Sequence, residues 1–228
     1  SAQEHEAYTQ GYPFLWTHDG GHTLDPTFGP MGDFNPRGYW EERLAKSTGL
    51  QGVGYLGLGQ SFNAWMYRLR RAVFKRAVRR HVQDLKGKAI LDVGSGTGFY
   101  MELWDELGAR SITGTDLTTT ATERLRMRFP GMEVRQLDIT DPDIPLMDSY
   151  DVISCMDVLF HVVDDAKLEQ AFGNFRRLLR PGGHLLFSEN FPHEERFRST
   201  HFISRSLDSY TAVLSRNGFD ILDRRPMF

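Results

Sequence analysis

The chain has 228 residues, 40% of them apolar and 25% charged, with a formal net charge of −3. That length and balance fit one packed domain with an extension of some tens of residues, and they favour neither a disordered nor a fibrous chain. No apolar run approaches the roughly eighteen residues of a membrane span, no signal-type leader precedes the first turn signals, and the single cysteine, Cys155, cannot close an internal disulfide. A soluble, cytoplasmic protein is expected, and its slightly acidic balance argues against nucleic acid as a partner.

Residues 1 to about 60 carry glycines, prolines and the aromatics Tyr8, Tyr12, Phe14, Trp16, Phe28, Phe34, Tyr39 and Trp40, with little periodicity before Tyr39. They read as an arm or cap over the active site, ahead of a catalytic domain over 61–228. His18 and His22 have ligand-like spacing, but Asp19, Gly20 and Gly21 make that segment a turn, and two histidines do not make a metal site. A helix over 62–85 follows, with Met66, Leu69, Val73, Ala77 and Val78 inward and a solvated basic face of Arg68, Arg71, Lys75, Arg76, Arg79 and Arg80.

From Lys88 onward short β-type runs alternate with helical stretches, the pattern of an α/β fold: a mostly parallel sheet with helices on both faces. The spacing predicts strands over 89–93, 111–116, 133–138, 150–156, 184–189 and 219–225. It predicts helices over 100–107, 118–129, 165–179 and 207–216. Pro130 and Gly131 stop the second helix, Asp164 and Asp165 start the third, and Pro181, Gly182 and Gly183 end it.

The most informative stretch is Ile90-Leu91-Asp92-Val93-Gly94-Ser95-Gly96-Thr97-Gly98, a β-run entering a glycine-rich loop that opens a helix. Glycines there let a ligand approach the backbone where a Cβ would collide with it, and the helix start offers free N–H groups. The spacing G-x-G-x-G departs from the G-x-G-x-x-G of dinucleotide sites. Asp92 adds a carboxylate that would welcome an ammonium and repel a phosphate.

Residues 91–98 resemble motif I of the class I S-adenosylmethionine-dependent methyltransferases, small-molecule type, and four further stretches resemble that family in order. Ile112-Thr113-Gly114-Thr115-Asp116-Leu117 is similar to the second strand with its terminal ribose-binding acid. Gln136-Leu137-Asp138-Ile139 is similar to the third, where an acid faces the adenine amino group and the next residue packs on the ring. Residues 150–163 and 178–189, the latter with Leu179-Arg180-Pro181-Gly182-Gly183, are similar to the fourth and fifth strands. The resemblance implies a Rossmann-like doubly wound fold and S-adenosylmethionine as cofactor. It implies a cofactor site of Asp92, Gly94, Ser95, Gly96, Thr97, Gly98, Asp116, Leu117, Asp138, Ile139, Cys155 and Met156. Cys155 and Met156 would present fourth-strand backbone to the methionine moiety, and Tyr55, Asn63 and Tyr67 either reach its carboxylate or simply pack. The family's seventh, antiparallel strand has no counterpart before Phe228, so either the last strand is missing from this sequence or the sheet has only six strands and an exposed edge.

Such an enzyme moves a methyl group by in-line displacement, and a hydroxyl acceptor must also lose its proton. The resemblance puts the substrate pocket beyond the fourth and fifth strands, which nominates His161, Asp157, Glu189 and His193, with His201, as catalytic groups. A small-molecule hydroxyl oxygen is the expected acceptor. Two alternatives stay open. Asp157, Glu189 and Asn190 form an acid, acid, amide set suited to Mg²⁺, as in catechol-type O-methyltransferases, although the lysine those enzymes carry is absent and no metal site is assigned. A nucleic-acid or protein methyltransferase would dock through the basic helix, but no Asn-Pro-Pro-Tyr-type motif follows the fourth strand. The connection 191–206, with His193, Arg196, Arg198, His201 and Arg205, reads as a basic substrate lid or a solvated loop. The oligomeric state is open.

Overall fold

The computed structural model describes residues 34–46, 49–54, 59–146, 149–192, 197–198 and 201–227. Three helices come first: α1 (Pro36–Lys46), α2 (Leu50–Val53) and α3 (Gly59–His81). A single 3₁₀ turn, Leu85–Gly87, then leads into strand β1 (Ala89–Val93). Next come α4 (Phe99–Glu106), β2 (Ser111–Asp116), α5 (Thr119–Arg128), β3 (Glu133–Gln136) and β4 (Tyr150–Cys155). After a 3₁₀ turn at Leu159–His161 the chain forms α6 (Asp165–Leu178), β5 (Leu179–Phe187), a two-residue ribbon β6 (Phe197–Arg198) with β7 (Ile203–Ser204), and α7 (Leu207–Arg216).

Five strands form one sheet in the order β3-β2-β1-β4-β5, every pairing parallel. The order reverses at β1, so chain leaving β1 and β4 diverges above their carboxyl ends, where open α/β sheets bind ligands. Alternation along β1 sorts its side chains. Ala89, Leu91 and Val93 join a core with Phe172 and Phe175 of α6 and Tyr210 and Leu214 of α7. Ile90 turns to the other face, among Met66, Phe74 and Val78 of α3 and Leu103 and Trp104 of α4. Both faces are thus covered, as parallel sheets require.

Local chemistry fixes the element ends. Thr118 caps α5 by accepting from the Ala121 N–H, Asp164 caps α6 by accepting from Ala166 and Lys167, and Ser206 caps α7 through Ser209. Leu179 pairs with Tyr150, the register then shifts, and His184 pairs with Val152, so residues 180–183 form a bulge inside β5 and do not precede it. β3 stops at Gln136 because the Asp138 carboxylate turns back to accept from the backbone and hydroxyl of Thr140.

Two expectations are corrected. Residues 219–225 are not a strand: they join no sheet, and Ile221 and Leu222 stay 50% and 67% exposed. The buried face of α3 consists of Asn63, Met66, Tyr67, Arg70, Phe74 and Val78, while Leu69, Val73 and Ala77 are only half-buried. Among the described residues no helix is long and apolar enough to cross a membrane.

Candidate active site

The glycine loop leaves β1 with Gly94, Gly96 and Gly98 all at positive φ (+69°, +52° and +85°). The structure gives these glycines protein neighbours, where the sequence suggested only a ligand. A Cβ on Gly94 would lie 2.3 Å from Val158 Cγ2, and one on Gly98 would lie 2.4 Å from Phe129 Cε2 and 2.8 Å from Leu125 Cδ2. The loop is therefore pressed between the segment after β4 and helix α5. Gly98→Ala combines a left-handed backbone with this overlap, and should lower stability in urea unfolding by about 2 kcal/mol.

Side chains and backbone tie the loop to β2. Ser95 N–H donates to the Thr115 carbonyl (2.8 Å), its hydroxyl donates to the Asp92 carbonyl (3.0 Å), and Gly96 N–H donates to Asp116 Oδ2 (2.9 Å). Asp116 Oδ1 accepts from the Thr118 N–H and hydroxyl. Asp116 is 8% exposed, and burial holds its carboxyl above the usual range. Asp92 is more deeply sunk, at 1% exposure. Its Oδ1 accepts from the Ser154 hydroxyl (2.5 Å), which itself accepts from Trp104 Nε1 (2.9 Å). Its Oδ2 is buried with no partner among the described residues, as are Thr97 Oγ1 and the Tyr100 hydroxyl. Burial, partly offset by Ser154 and Ser95, pushes the Asp92 carboxyl up to about 6.

These orphaned groups test the fit to S-adenosylmethionine. A buried carboxylate oxygen lacking a donor suits an ammonium, and an acid at the carboxyl end of β2 suits two hydroxyls. Leu117 and Asp138 are half-buried close by, whereas Ile139 is packed into the core with Phe172 and Phe175. Cys155 and Met156 are buried on opposite faces of the sheet, and burial pushes the Cys155 thiol well above its ordinary value, leaving it unreactive. Asn63 donates to the Gly59 carbonyl and Tyr67 packs edge-on against Phe99, at 4.7 Å between ring centroids.

The carboxyl ends of β4 and β5 bring Asp157 and Glu189 to one neighbourhood. Asp157 sits at φ +60°, donates its N–H to the Ser188 hydroxyl (2.8 Å) and accepts that hydroxyl's proton at Oδ1 (2.9 Å). Its Oδ2 forms an ion pair with Arg70, a 6% exposed residue of α3 that the sequence reading passed over. The signal was present: Met66, Arg70, Phe74 and Val78 stand four apart, one row on a helix. With Asp157 spent on Arg70 and Ser188, the acid, acid, amide set loses one ligand, and among the described residues no three His, Cys, Asp or Glu side chains gather as a metal site. Glu189 accepts the Tyr210 hydroxyl at Oε1 (2.7 Å), and burial pushes its carboxyl up to about 8.

Helix α1 reaches both sides of this region. At one end the Glu41 carboxylate accepts from Thr119 N–H (2.9 Å) and Thr120 N–H (2.8 Å) at the start of α5, where a negative charge is favoured. At the other, Trp40 meets His161 edge-on (4.8 Å) and Tyr39 stacks on His201 (5.2 Å). His161 Nδ1 lies 2.8 Å from the His201 carbonyl. Arg205, read from sequence as part of a basic lid, is 2% exposed and paired to Asp165. His193, Arg196, Tyr55, His18 and His22 lie outside the described residues. A cleft of about 260 Å³ at the opposite end of the sheet is lined by His81, Lys88, Asp151, Arg180 and His184, and its lysine and arginine are already paired with Asp151.

Residues 91–187 match the family described as "Methyltransferase domain". The chain is similar to the "Ubiquinone biosynthesis O-methyltransferase" of Alkalilimnicola ehrlichii, 37% identical over 111 residues, covering 46% of this chain and 42% of that one. A protein of the same name from Acinetobacter baylyi is 30% identical over 116 residues, covering 49% and 47%. The chain thus spans under half the length of these relatives. In structure it is similar to magnesium protoporphyrin IX methyltransferase of Synechocystis PCC 6803 with bound S-adenosylhomocysteine. That likeness has a TM-score of 0.61 at 17% identity and covers 82% of this chain and 89% of the other.

Proposed function

We propose that this chain, whose residues 91–187 match a methyltransferase domain, transfers a methyl group from S-adenosylmethionine to a hydroxyl oxygen of a small molecule. The observation that carries the reading is the pair of buried carboxylates flanking the glycine loop, Asp92 with an oxygen lacking a donor and Asp116 at the end of β2. Hydroxyl oxygen is favoured over nitrogen or carbon because the relatives matched are named O-methyltransferases. The aromatic residues Tyr39 and Trp40, laid against His201 and His161, support a flat acceptor.

The chemistry the cofactor supplies when bound is a methyl group on positively charged sulfur. Asp92 would hold its ammonium, Asp116 its ribose hydroxyls, and the loop around Ser95 to Gly98 would lie along it. Helix α1, clipped to α5 by Glu41 and to the β4 and β7 segments by its aromatics, acts as the cap that keeps water from the reacting groups.

The test is calorimetric titration of S-adenosylhomocysteine into wild type, Asp116→Ala and Asp116→Asn. Wild type should bind in the micromolar range. Asp116→Ala should bind about thirtyfold more weakly, the loss of two hydrogen bonds to a charged acceptor. Failure of wild type to bind would remove the reading.

A further inference from the structure

Methyl transfer to a hydroxyl needs a proton acceptor, and of the five side chains the sequence nominates, His193 lies outside the described residues and the His201 ring is stacked on Tyr39. Asp157 spends both carboxylate oxygens on Arg70 and Ser188. His161 is walled by the rings of Trp40, Phe160 and His201. Glu189, at the carboxyl end of β5, differs from both: it is half-buried, and its carboxyl is held by a donor that no solvent can reach.

That donor is Tyr210. Its ring is fully buried, 5.7 Å from Phe187 and 5.6 Å from Phe191, and its hydroxyl donates to Glu189 Oε1 at 2.7 Å. The Asn190 N–H donates to Oε2 at 3.2 Å. Behind them lies Arg205, whose Nε and Nη2 bind Asp165 and whose Nη2 also donates to the Val162 carbonyl (2.9 Å). Its Nη1 is buried with no hydrogen-bond partner among the described residues. The buried phenol and the Asn190 N–H fix that carboxyl in place, and the buried Arg205 charge favours its ionised form through space without touching it.

We propose that Glu189 takes the proton from the acceptor hydroxyl and that Tyr210 is the positioning residue that aims it. The assignment rests on the methyl-transfer reading above. As the acceptor oxygen bonds to the methyl carbon, the carbon–sulfur bond breaks with its electron pair left on sulfur, and the hydroxyl proton passes to the Glu189 carboxylate. A methyl ether, a neutral thioether and a protonated carboxyl result, and water then takes the proton.

Among the described residues, the charged and titratable groups facing Glu189 are Tyr210 of α7, Arg205 just before it, and Asp157 and Cys155 at the end of β4. Burial is the largest influence and raises the carboxyl; Tyr210, Asn190 and Arg205 oppose it, and Asp157 adds to it. The ionised base therefore accumulates as pH rises through about 8. Methylation should accelerate over the same interval.

The experiment has two readouts on wild type, Glu189→Gln, Tyr210→Phe and His161→Gln, each first shown to bind S-adenosylhomocysteine. One is the pH dependence of methyl transfer from S-adenosylmethionine to catechol and 3,4-dihydroxybenzoate. The other is carboxyl titration of ¹³C-glutamate-labelled protein by NMR. Glu189→Gln should bind S-adenosylhomocysteine as wild type does yet transfer methyl about a hundredfold more slowly. It should also lack the resonance that titrates near pH 8. Tyr210→Phe should move both the resonance and the rate profile to higher pH while KM changes little. A Glu189→Gln rate within threefold of wild type, a hundredfold loss in His161→Gln alone, or no carboxyl titrating near 8 would overturn the assignment. If wild type binds S-adenosylhomocysteine but methylates neither diphenol, the NMR titration decides. Absence of wild-type binding would instead sink the methyl-transfer reading itself.

Discussion

Asp92→Asn is expected to make the protein more stable and unable to hold its cofactor. The carboxyl is 1% exposed, with one oxygen bonded to Ser154 and the other without a donor, and it is pushed to about 6 in the fold. In the unfolded chain an aspartate titrates near 3.9. Between those two values the folded state holds more protons than the unfolded one, so stability falls as pH rises through this window and stays lower above it. Two pKa units correspond to about 3 kcal/mol. Asparagine has nearly the same shape and can still accept from Ser154, but carries no charge to desolvate. Urea unfolding at pH 7.5 should favour the variant by about 1–3 kcal/mol, and its advantage should vanish near pH 4. Calorimetry should show S-adenosylhomocysteine binding a hundredfold weaker or worse, since a buried ammonium loses its counter-charge. Reduced stability at pH 7.5 would mean that the Asp92 charge is already well supported without a ligand.

Strand ends at 89–93 and 111–116 were legible because short β-branched runs there meet charge and glycine at both boundaries. Residues 219–225 carry a similar run and form no strand, because propensity supplies no neighbour for the backbone to pair with. The acids that end or nearly end β1 and β2 could be read from motif order. Glu41, Arg70, Arg205 and Tyr210 could not. Their partners lie 79, 87, 40 and 21 residues away, and no local pattern encodes those meetings. Arg70 also hid behind its residue type, since arginine on a helix is ordinarily assigned to solvent and here shifts the buried stripe by one position. The glycine loop was found for one reason and is constrained by another: its missing Cβ atoms make room for Val158 and Phe129 as well as for any ligand.

That arginine gives the other large effect. Arg70 joins α3 to the segments after β4 and β5, because its partner Asp157 is itself locked to Ser188, and its guanidinium lies 5.3 Å over the Tyr67 ring. Removing one member of a buried pair strands the other charge, at a cost of about 3–5 kcal/mol, whereas removing both together is often close to neutral. Arg70→Met should therefore lower stability by about 3 kcal/mol. Arg70→Met with Asp157→Asn should recover most of that loss, since asparagine tolerates the left-handed backbone at this position. Equal losses in the single and double variants would assign Arg70's contribution to its packing against Tyr67 and not to its charge. The double variant also separates two uses of the guanidinium. If Arg70 serves only Asp157, S-adenosylhomocysteine will bind the double variant as tightly as wild type. A tenfold or greater loss would assign Arg70 a part in holding the cofactor as well.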